Sequence, residues 1–229
     1  MSPPRLIVAI DGPSGVGKST AARQLARKLG VPFLDTGAMY RAIGLKVLES
    51  GADPHDRDRA VAIAGDADVR LGRREDGSFE VLLDGEPVEP RIRTPEVGEA
   101  TSAISAYPEV RQRMVRLQRE AAGQFGAVLE GRDIGTRVFP ETPYKFFLDA
   151  RSEVRFQRRF EELAAAGRPV TFEQVVDEIS RRDLRDSTRT DSPLTRDDSY
   201  TFIDSSDITV DEVVERMARE IAGRGFALS

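Results

Sequence analysis

The stretch Gly12-Pro13-Ser14-Gly15-Val16-Gly17-Lys18-Ser19 decides how the rest of the chain is read. It has the spacing G-x-x-x-x-G-K-[ST], a motif whose meaning depends on what flanks it. Before it runs Leu6-Ile7-Val8-Ala9-Ile10, short and apolar as a buried strand is. After it, residues 18–29 follow a helical pattern that stops at Gly30. A glycine-rich turn between strand and helix lets backbone N–H groups curl round phosphate oxygens, and the helix N-terminus adds partial positive charge. In that setting Lys18 reaches the β- and γ-phosphates of a nucleoside triphosphate, and the Ser19 hydroxyl is a ligand for Mg²⁺. The motif says what is bound and leaves open what is done with it.

Working outward, residues 31–34 read as a second strand and 38–48 as a helix closed by Gly51. Strand, loop, helix and strand in this order make a βαβ unit, and so a parallel sheet. Residues 53–95 differ. Asp68-Val69-Arg70-Leu71 and Phe79-Glu80-Val81-Leu82-Leu83 are strand-like, Asp76-Gly77 lies between them, and Asp84-Gly85 comes after the second run. Asp-Gly beside such runs is a hairpin signal. The stretch therefore reads as a small antiparallel insert of roughly 40 residues, short for an independent domain. Helices are expected over 95–104 and 108–122, each opened by a proline, which the first helical turn tolerates.

The parallel pattern then resumes. Ala127-Val128-Leu129-Glu130 and Lys145-Phe146-Phe147-Leu148-Asp149 read as core strands. Ser152 has the place of an N-cap for a helix to residue 166. Thr171-Phe172-Glu173-Gln174 fits a capping box opening a helix to about residue 185. Residues 201–204 make a last short strand and 209–222 a last helix.

Composition removes several kinds of chemistry. There is no cysteine and one histidine, His55, so thiol nucleophiles, disulfides and multi-histidine metal sites are excluded. With 229 residues the chain can bury a core without metal or disulfide staples. No run approaches the roughly 18 apolar residues of a membrane span, and the first residues lack the pattern of a secretory leader. The expectation is a cytoplasmic protein. The net charge of −5 argues against bulk nucleic-acid binding. Residues 197–229 carry eight acidic residues and three arginines, so the first 196 residues are neutral overall. Lys18, Lys28, Lys46 and Lys145 are the only lysines among 34 basic residues. Coding bias explains much of that arginine excess, but arginine is also the better bidentate ligand for phosphate.

Three further segments sharpen the reading: Asp35-Thr36-Gly37-Ala38-Met39-Tyr40-Arg41, Glu130-Gly131-Arg132-Asp133-Ile134-Gly135-Thr136, and Arg181-Arg182-Asp183-Leu184-Arg185-Asp186-Ser187-Thr188-Arg189. Arg41 and Arg132 stand just beyond expected strand ends, where open α/β sheets bind ligands. Two guanidinium groups there suit an acceptor phosphate, because phosphoryl transfer needs mainly positioning and charge neutralisation. With the glycine-rich loop and the insert before Ile92-Arg93-Thr94, these segments resemble the bacterial cytidylate kinase family over essentially the whole chain. Thr36 stands where serine also occurs in that family, and the hydroxyl is kept.

The resemblance implies a nucleoside monophosphate kinase that passes the ATP γ-phosphoryl group to CMP or dCMP with Mg²⁺. The implied fold is a three-layer α/β/α P-loop kinase core, residues 1–52 and 96–229, with a nucleotide-binding insert at 53–95 and a helical lid at about 155–190. ATP would be held by Gly12, Pro13, Ser14, Gly15, Val16, Gly17, Lys18, Ser19 and Thr20, with Arg155, Arg158 and Arg159 of the lid closing over the triphosphate. Arg155, Arg158 and Arg159 share one helical face by spacing. CMP would meet Thr36, Tyr40, Arg41 and Arg132, with Ser102, Arg111 and Asp133 reading the cytosine ring. The resemblance sends Arg182 and Asp186 to the sugar and Arg189 to the acceptor nucleotide. Lys18, Arg132 and Arg41 would carry catalysis. The family also implies a monomer with no nucleic-acid or membrane partner.

Other readings remain open on sequence alone. A kinase for a small hydroxyl substrate, of the shikimate or gluconate type, would not need the insert or Ser102, Arg111 and Asp133. A GTP-dependent switch normally carries N-K-x-D, which is missing here. A nucleic-acid ATPase fits poorly with the acidic balance. Asp11 and Asp35 can each serve Mg²⁺ through water or cap a turn.

Overall fold

A computed structural model describes residues 5–73, 79–189 and 191–226. In chain order the elements are β1 (Ile7–Asp11), α1 (Lys18–Leu29), β2 (Phe33–Asp35), α2 (Thr36–Glu49), α3 (Arg57–Asp66), β3 (Val69–Arg73), β4 (Phe79–Leu83) and β5 (Glu86–Pro87). Then come α4 (Pro95–Ile104), α5 (Pro108–Phe125), β6 (Ala127–Gly131), β7 (Tyr144–Asp149), α6 (Ser152–Ala165), α7 (Phe172–Thr188), β8 (Thr201–Asp204) and α8 (Val210–Gly223). By compactness they fall into two units. One holds Pro32–Ala127 and the segment ending at Leu6; the other holds Ile7–Val31 and the chain from Val128 onward.

The second unit is built on strands in the order β6-β1-β7-β8. β1 and β7 run parallel with Ile10 opposite Phe146, and β7 and β8 run parallel with Phe147 opposite Phe202. Val8, Ala9, Ile10, Phe146 and Leu148 are all buried. A continuous apolar run, without alternation, is what a parallel strand covered on both faces requires. Helix α1 packs against α8, where Leu25, Ala22, Met217 and Ile221 are buried. Helices α6 and α7 form a hairpin with its own small core of Leu163, Val175 and Ile179. Phe160 and Phe172 meet edge to face there, with centroids 5.8 Å apart.

The first unit carries the antiparallel sheet β3-β4-β5. Leu71 pairs with Val81 across β3 and β4. Asp84 and Gly85 have φ of 52° and 87° and turn the chain from β4 into β5. The Asp-Gly signal at 84–85 is thus a two-residue hairpin with both φ positive. The other one, Asp76-Gly77, lies outside the described residues. Helix α2 packs closely on α4, because Gly44 leaves room for Thr101.

Three local expectations change. The stretch after Asp53 begins with a helix, α3, capped by Asp56, whose side chain accepts from the Arg59 amide. Ser152 is the first residue of α6, and Arg151 occupies the N-cap position without a side-chain cap. Helix α2 starts at Thr36, two residues early, because Asp35 caps it by accepting from the Ala38 amide at 2.8 Å. By contrast, α1 ends at a left-handed Gly30 and α7 opens with the expected Thr171/Gln174 capping box.

Two loop glycines separate steric need from conformational need. A Cβ on Gly12, whose φ is 151°, would lie 2.0 Å from the Leu148 carbonyl oxygen. Gly17 has φ of 88° and nothing within 4 Å. Gly12→Ala is expected to cost about 2–4 kcal/mol in urea unfolding. Gly17→Ala should cost only about 1–2 kcal/mol, and equal losses at the two positions would contradict this assignment.

Candidate active site

The glycine-rich loop is the link between β1 and α1. Gly17 occupies the N-cap position of α1, with no side-chain cap and no acidic residue in the first turn. The first amides of the helix therefore keep their pull on an anion. Lys18 is buried, and its ammonium donates to the Pro13 carbonyl at 2.6 Å. Burial first, and the nearby Arg132 charge second, push its pKa down to about 7. A phosphate beside it would restore the charged form.

Ser14 is where several elements meet the loop. Its amide donates to Asp183 Oδ1 of α7 at 3.2 Å, its carbonyl accepts from Arg155 at 3.1 Å, and its hydroxyl accepts from Arg132 at 2.9 Å. Arg155 also bonds Asp183, so α6 and α7 are tied to the loop together. The backbone at Arg155 lies so close that a Cβ on Gly15 would meet its carbonyl at 2.7 Å.

Arg132 comes directly after β6. Its Nε donates to Asp186 Oδ2 at 2.7 Å. Burial works against its charge, but Asp186, Glu130 and Asp183 outweigh that and hold it ionised. For Asp186 the balance is reversed: burial favours the neutral acid, while Arg132, Arg182 and Arg189 keep its pKa below the ordinary aspartate value. Arg189 lies 3.7 Å from Asp186 and 3.8 Å from Asp133. The structure thus gathers Ser14, Lys18, Arg132, Asp133, Arg155, Arg182, Asp186 and Arg189 in one unit.

The other two α6 arginines expected over the triphosphate have partners elsewhere. Arg158 donates to the Ser205 hydroxyl at 3.1 Å and to its carbonyl at 2.6 Å. Arg159 pairs with Glu162 at 3.0 Å along its own helix. Ser19 and Thr20 are exposed on the first turn of α1. Among the described residues no group of three carboxylate or imidazole side chains could hold a metal ion alone. A divalent cation would have to bring most of its ligands with it, and the exposed Ser19 hydroxyl at the start of α1 is the protein oxygen that would hold it.

The other unit gathers the remaining expected residues. Arg41 donates to the Ile92 carbonyl at 3.1 Å. The Arg111 guanidinium is buried, stands 5.8 Å from the Tyr40 ring centroid and donates to the Ser105 carbonyl. Thr36 is buried at the start of α2, and Ser102 is half-buried on α4. Asp35, besides capping α2, accepts from Arg93 at 2.9 Å.

Sequence reasoning assigned no role to Asp183, Arg93 or Tyr200. Asp183 is in contact with Ser14, 169 residues away, and no local pattern signals such a pair. Asp11 turns out to cap a turn: its carboxylate accepts from the Ile134 and Gly135 amides.

The charge balance at Asp186 has a measurable consequence. A depressed carboxyl pKa contributes stability that is present above the unfolded value of 3.8 and lost as pH falls through the lower folded value. Removing Arg132 leaves burial less opposed and raises the Asp186 pKa. Arg132→Met should therefore begin acid unfolding at higher pH than wild type, monitored by circular dichroism. Asp186→Asn added to it should move the midpoint back; no recovery would place the acid-sensitive group elsewhere.

A sequence model of the family described as cytidylate kinase matches residues 8–223. The chain is 51% identical to a cytidylate kinase of Corynebacterium glutamicum over 93% of this chain and 92% of that one. It is 45% identical to a cytidylate kinase of Caldicellulosiruptor bescii, covering 93% and 94% respectively. In fold it is similar to the crystal structure of an uncharacterized protein from Eubacterium ventriosum, with a TM-score of 0.52 at 14% identity over 96% of this chain and all of that one. On these matches, which take in every segment of the site, the chain belongs to the cytidylate kinase family.

Proposed function

We propose that this kinase transfers the γ-phosphoryl group of ATP to CMP or dCMP, giving ADP and CDP or dCDP. The observation that carries the chemistry is Arg132, bonded at once to Ser14 of the phosphate loop and to Asp186 of α7. A cation held that way, beside a buried Lys18, is ready for phosphate charge before substrate arrives.

In this reading the residues Gly12 to Thr20 take the triphosphate, with Lys18 along the β- and γ-phosphates. Arg155, Arg158 and Arg159 belong to the lid at about 155–190, which excludes water from the reacting γ-phosphate. Ser19 Oγ would hold a Mg²⁺ carried in on the triphosphate, and the ion would supply charge neutralisation during the transfer. An oxygen of the acceptor phosphate attacks γ-phosphorus in line, and the bond to the ADP oxygen breaks. Arg41 and Arg132 bind that acceptor phosphate. Thr36 and Tyr40 shape its surroundings.

Base choice falls to Ser102, Arg111 and Asp133. The Asp133 carboxylate accepts from the exocyclic amine of cytosine, and Arg111 donates to the ring carbonyl. Uracil would turn its O4 toward the carboxylate and lose that bond. Arg182 and Asp186 serve the sugar and Arg189 the acceptor nucleotide. Residues 53–95 act as the inserted nucleotide-binding subdomain of the core, and the chain works as a monomer in the cytoplasm.

An ADP-release assay across CMP, dCMP, UMP, AMP and shikimate tests the reading. CMP and dCMP should be the best acceptors; equal turnover with AMP or shikimate would overturn it. Arg41→Met and Arg132→Met should each lower kcat/KM about 100-fold or more. Near-wild-type activity in both would show that the acceptor phosphate is held elsewhere.

A further inference from the structure

Asp11 is the last residue of β1 and the residue before Gly12, and it is fully buried. Its Oδ1 accepts from the Ile134 amide at 2.9 Å. Its Oδ2 accepts from the Gly135 amide at 2.8 Å and from the Tyr200 hydroxyl at 2.7 Å. These amides open the helical turn Ile134–Val138, which begins directly after Arg132 and Asp133. One carboxylate therefore joins the strand feeding the phosphate loop to the segment that carries two of the proposed site residues.

Tyr200 is the third donor, and it is itself held. Its ring meets Phe147 edge to face with centroids 6.1 Å apart, and Lys145 stands 6.0 Å from its centroid. Its amide donates to the Asp197 carbonyl, and the neighbouring Ser199 hydroxyl accepts from Lys145 at 3.1 Å. The hydroxyl lies so close to the turn that a Cβ on Gly135 would meet it at 2.6 Å. Gly135 is thus the residue that admits the tyrosine.

A buried carboxylate is costly unless its lone pairs are used. Burial pushes the Asp11 carboxyl up, and the Gly135 and Ile134 amides and the Tyr200 hydroxyl pull it back down. With three donors the carboxylate has one place to sit, and the turn after Asp133 has one place to start. With two it can rotate, and the segment loosens.

We propose that Tyr200 is a positioning residue for base discrimination: through Asp11 it fixes where the backbone presents Asp133. This rests on the proposed role of Asp133 in reading the cytosine ring. Two of the three bonds at Ser14, with Asp183 and Arg155, do not pass through this turn, so ATP binding should be affected far less than base choice.

The test compares kcat/KM for CMP and for UMP in wild type, Tyr200→Phe, Asp11→Asn and Asp133→Asn. Tyr200→Phe should lower the CMP-over-UMP ratio about three- to tenfold, with the KM for ATP changed less than about twofold. Asp11→Asn should lower the ratio further. Amide hydrogen exchange on the same full-length proteins should speed up over 132–138 in Tyr200→Phe and stay unchanged in α1. A wild-type ratio in Tyr200→Phe, with a collapsed ratio in Asp133→Asn, would overturn the inference and leave the Asp133 reading intact. An equal rise in the KM for ATP would also overturn it, as general loosening. An unchanged ratio in Asp133→Asn would overturn the reading of Asp133 instead, and the exchange rates would still decide whether Tyr200 fixes the turn.

Discussion

Like charges must be held together in a place where water is scarce. Arg132 and Arg182 both act electrostatically on Lys18; Lys18 is buried and the Arg132 side chain nearly so. Left alone, such a group would repel itself apart or lose protons. Asp186 and Asp183 from α7 and Glu130 from β6 supply the opposing charge. The loop, the segment after β6 and the α6–α7 hairpin are fixed relative to one another by these pairs. The same pairs leave the loop amides and the lysine suited to a more strongly charged anion. Site and scaffold are therefore one electrostatic arrangement within this unit.

The most legible parts of the chain are those where local chemistry is decisive. Helix α1 has its expected bounds because the turn before it and Gly30 after it each impose a conformation. The capping box at Thr171 is spelled out by residues three apart, and the structure shows a second at Thr209. Helix α3 is hard to read because only Ala60 and Ala64 of its residues are buried, while Val61 and Ile63 stay half-buried in a stretch rich in strand signals. The Asp56 cap was the available sign. At Ser152 the opposite occurred: a residue type favoured at caps sits one place inside the helix.

Arginine assignment shows a deeper limit. A guanidinium group satisfies carboxylate, phosphate and carbonyl with the same geometry. Spacing puts Arg155, Arg158 and Arg159 on one face, yet their partners differ: the Ser14 carbonyl and Asp183, then Ser205, then Glu162. The roles of Asp11 and Asp183 depend on residues far along the chain, so no local pattern contains them. In the other unit, Gly44 lets α2 and α4 approach, and that approach places Tyr40, Arg41 and Ser102 on neighbouring helices. The glycine is visible in the sequence, but its partner Thr101 is not.

The central proposal is that Ser102, Arg111 and Asp133 read the ring of a cytidine monophosphate. A crystal structure of the protein with CMP and a non-hydrolysable ATP analogue tests it most directly. The account predicts the cytosine amine within hydrogen-bond distance of the Asp133 carboxylate and the ring carbonyl facing the Arg111 guanidinium. A ring bound away from all three residues, with the acceptor phosphate still in place, would contradict it.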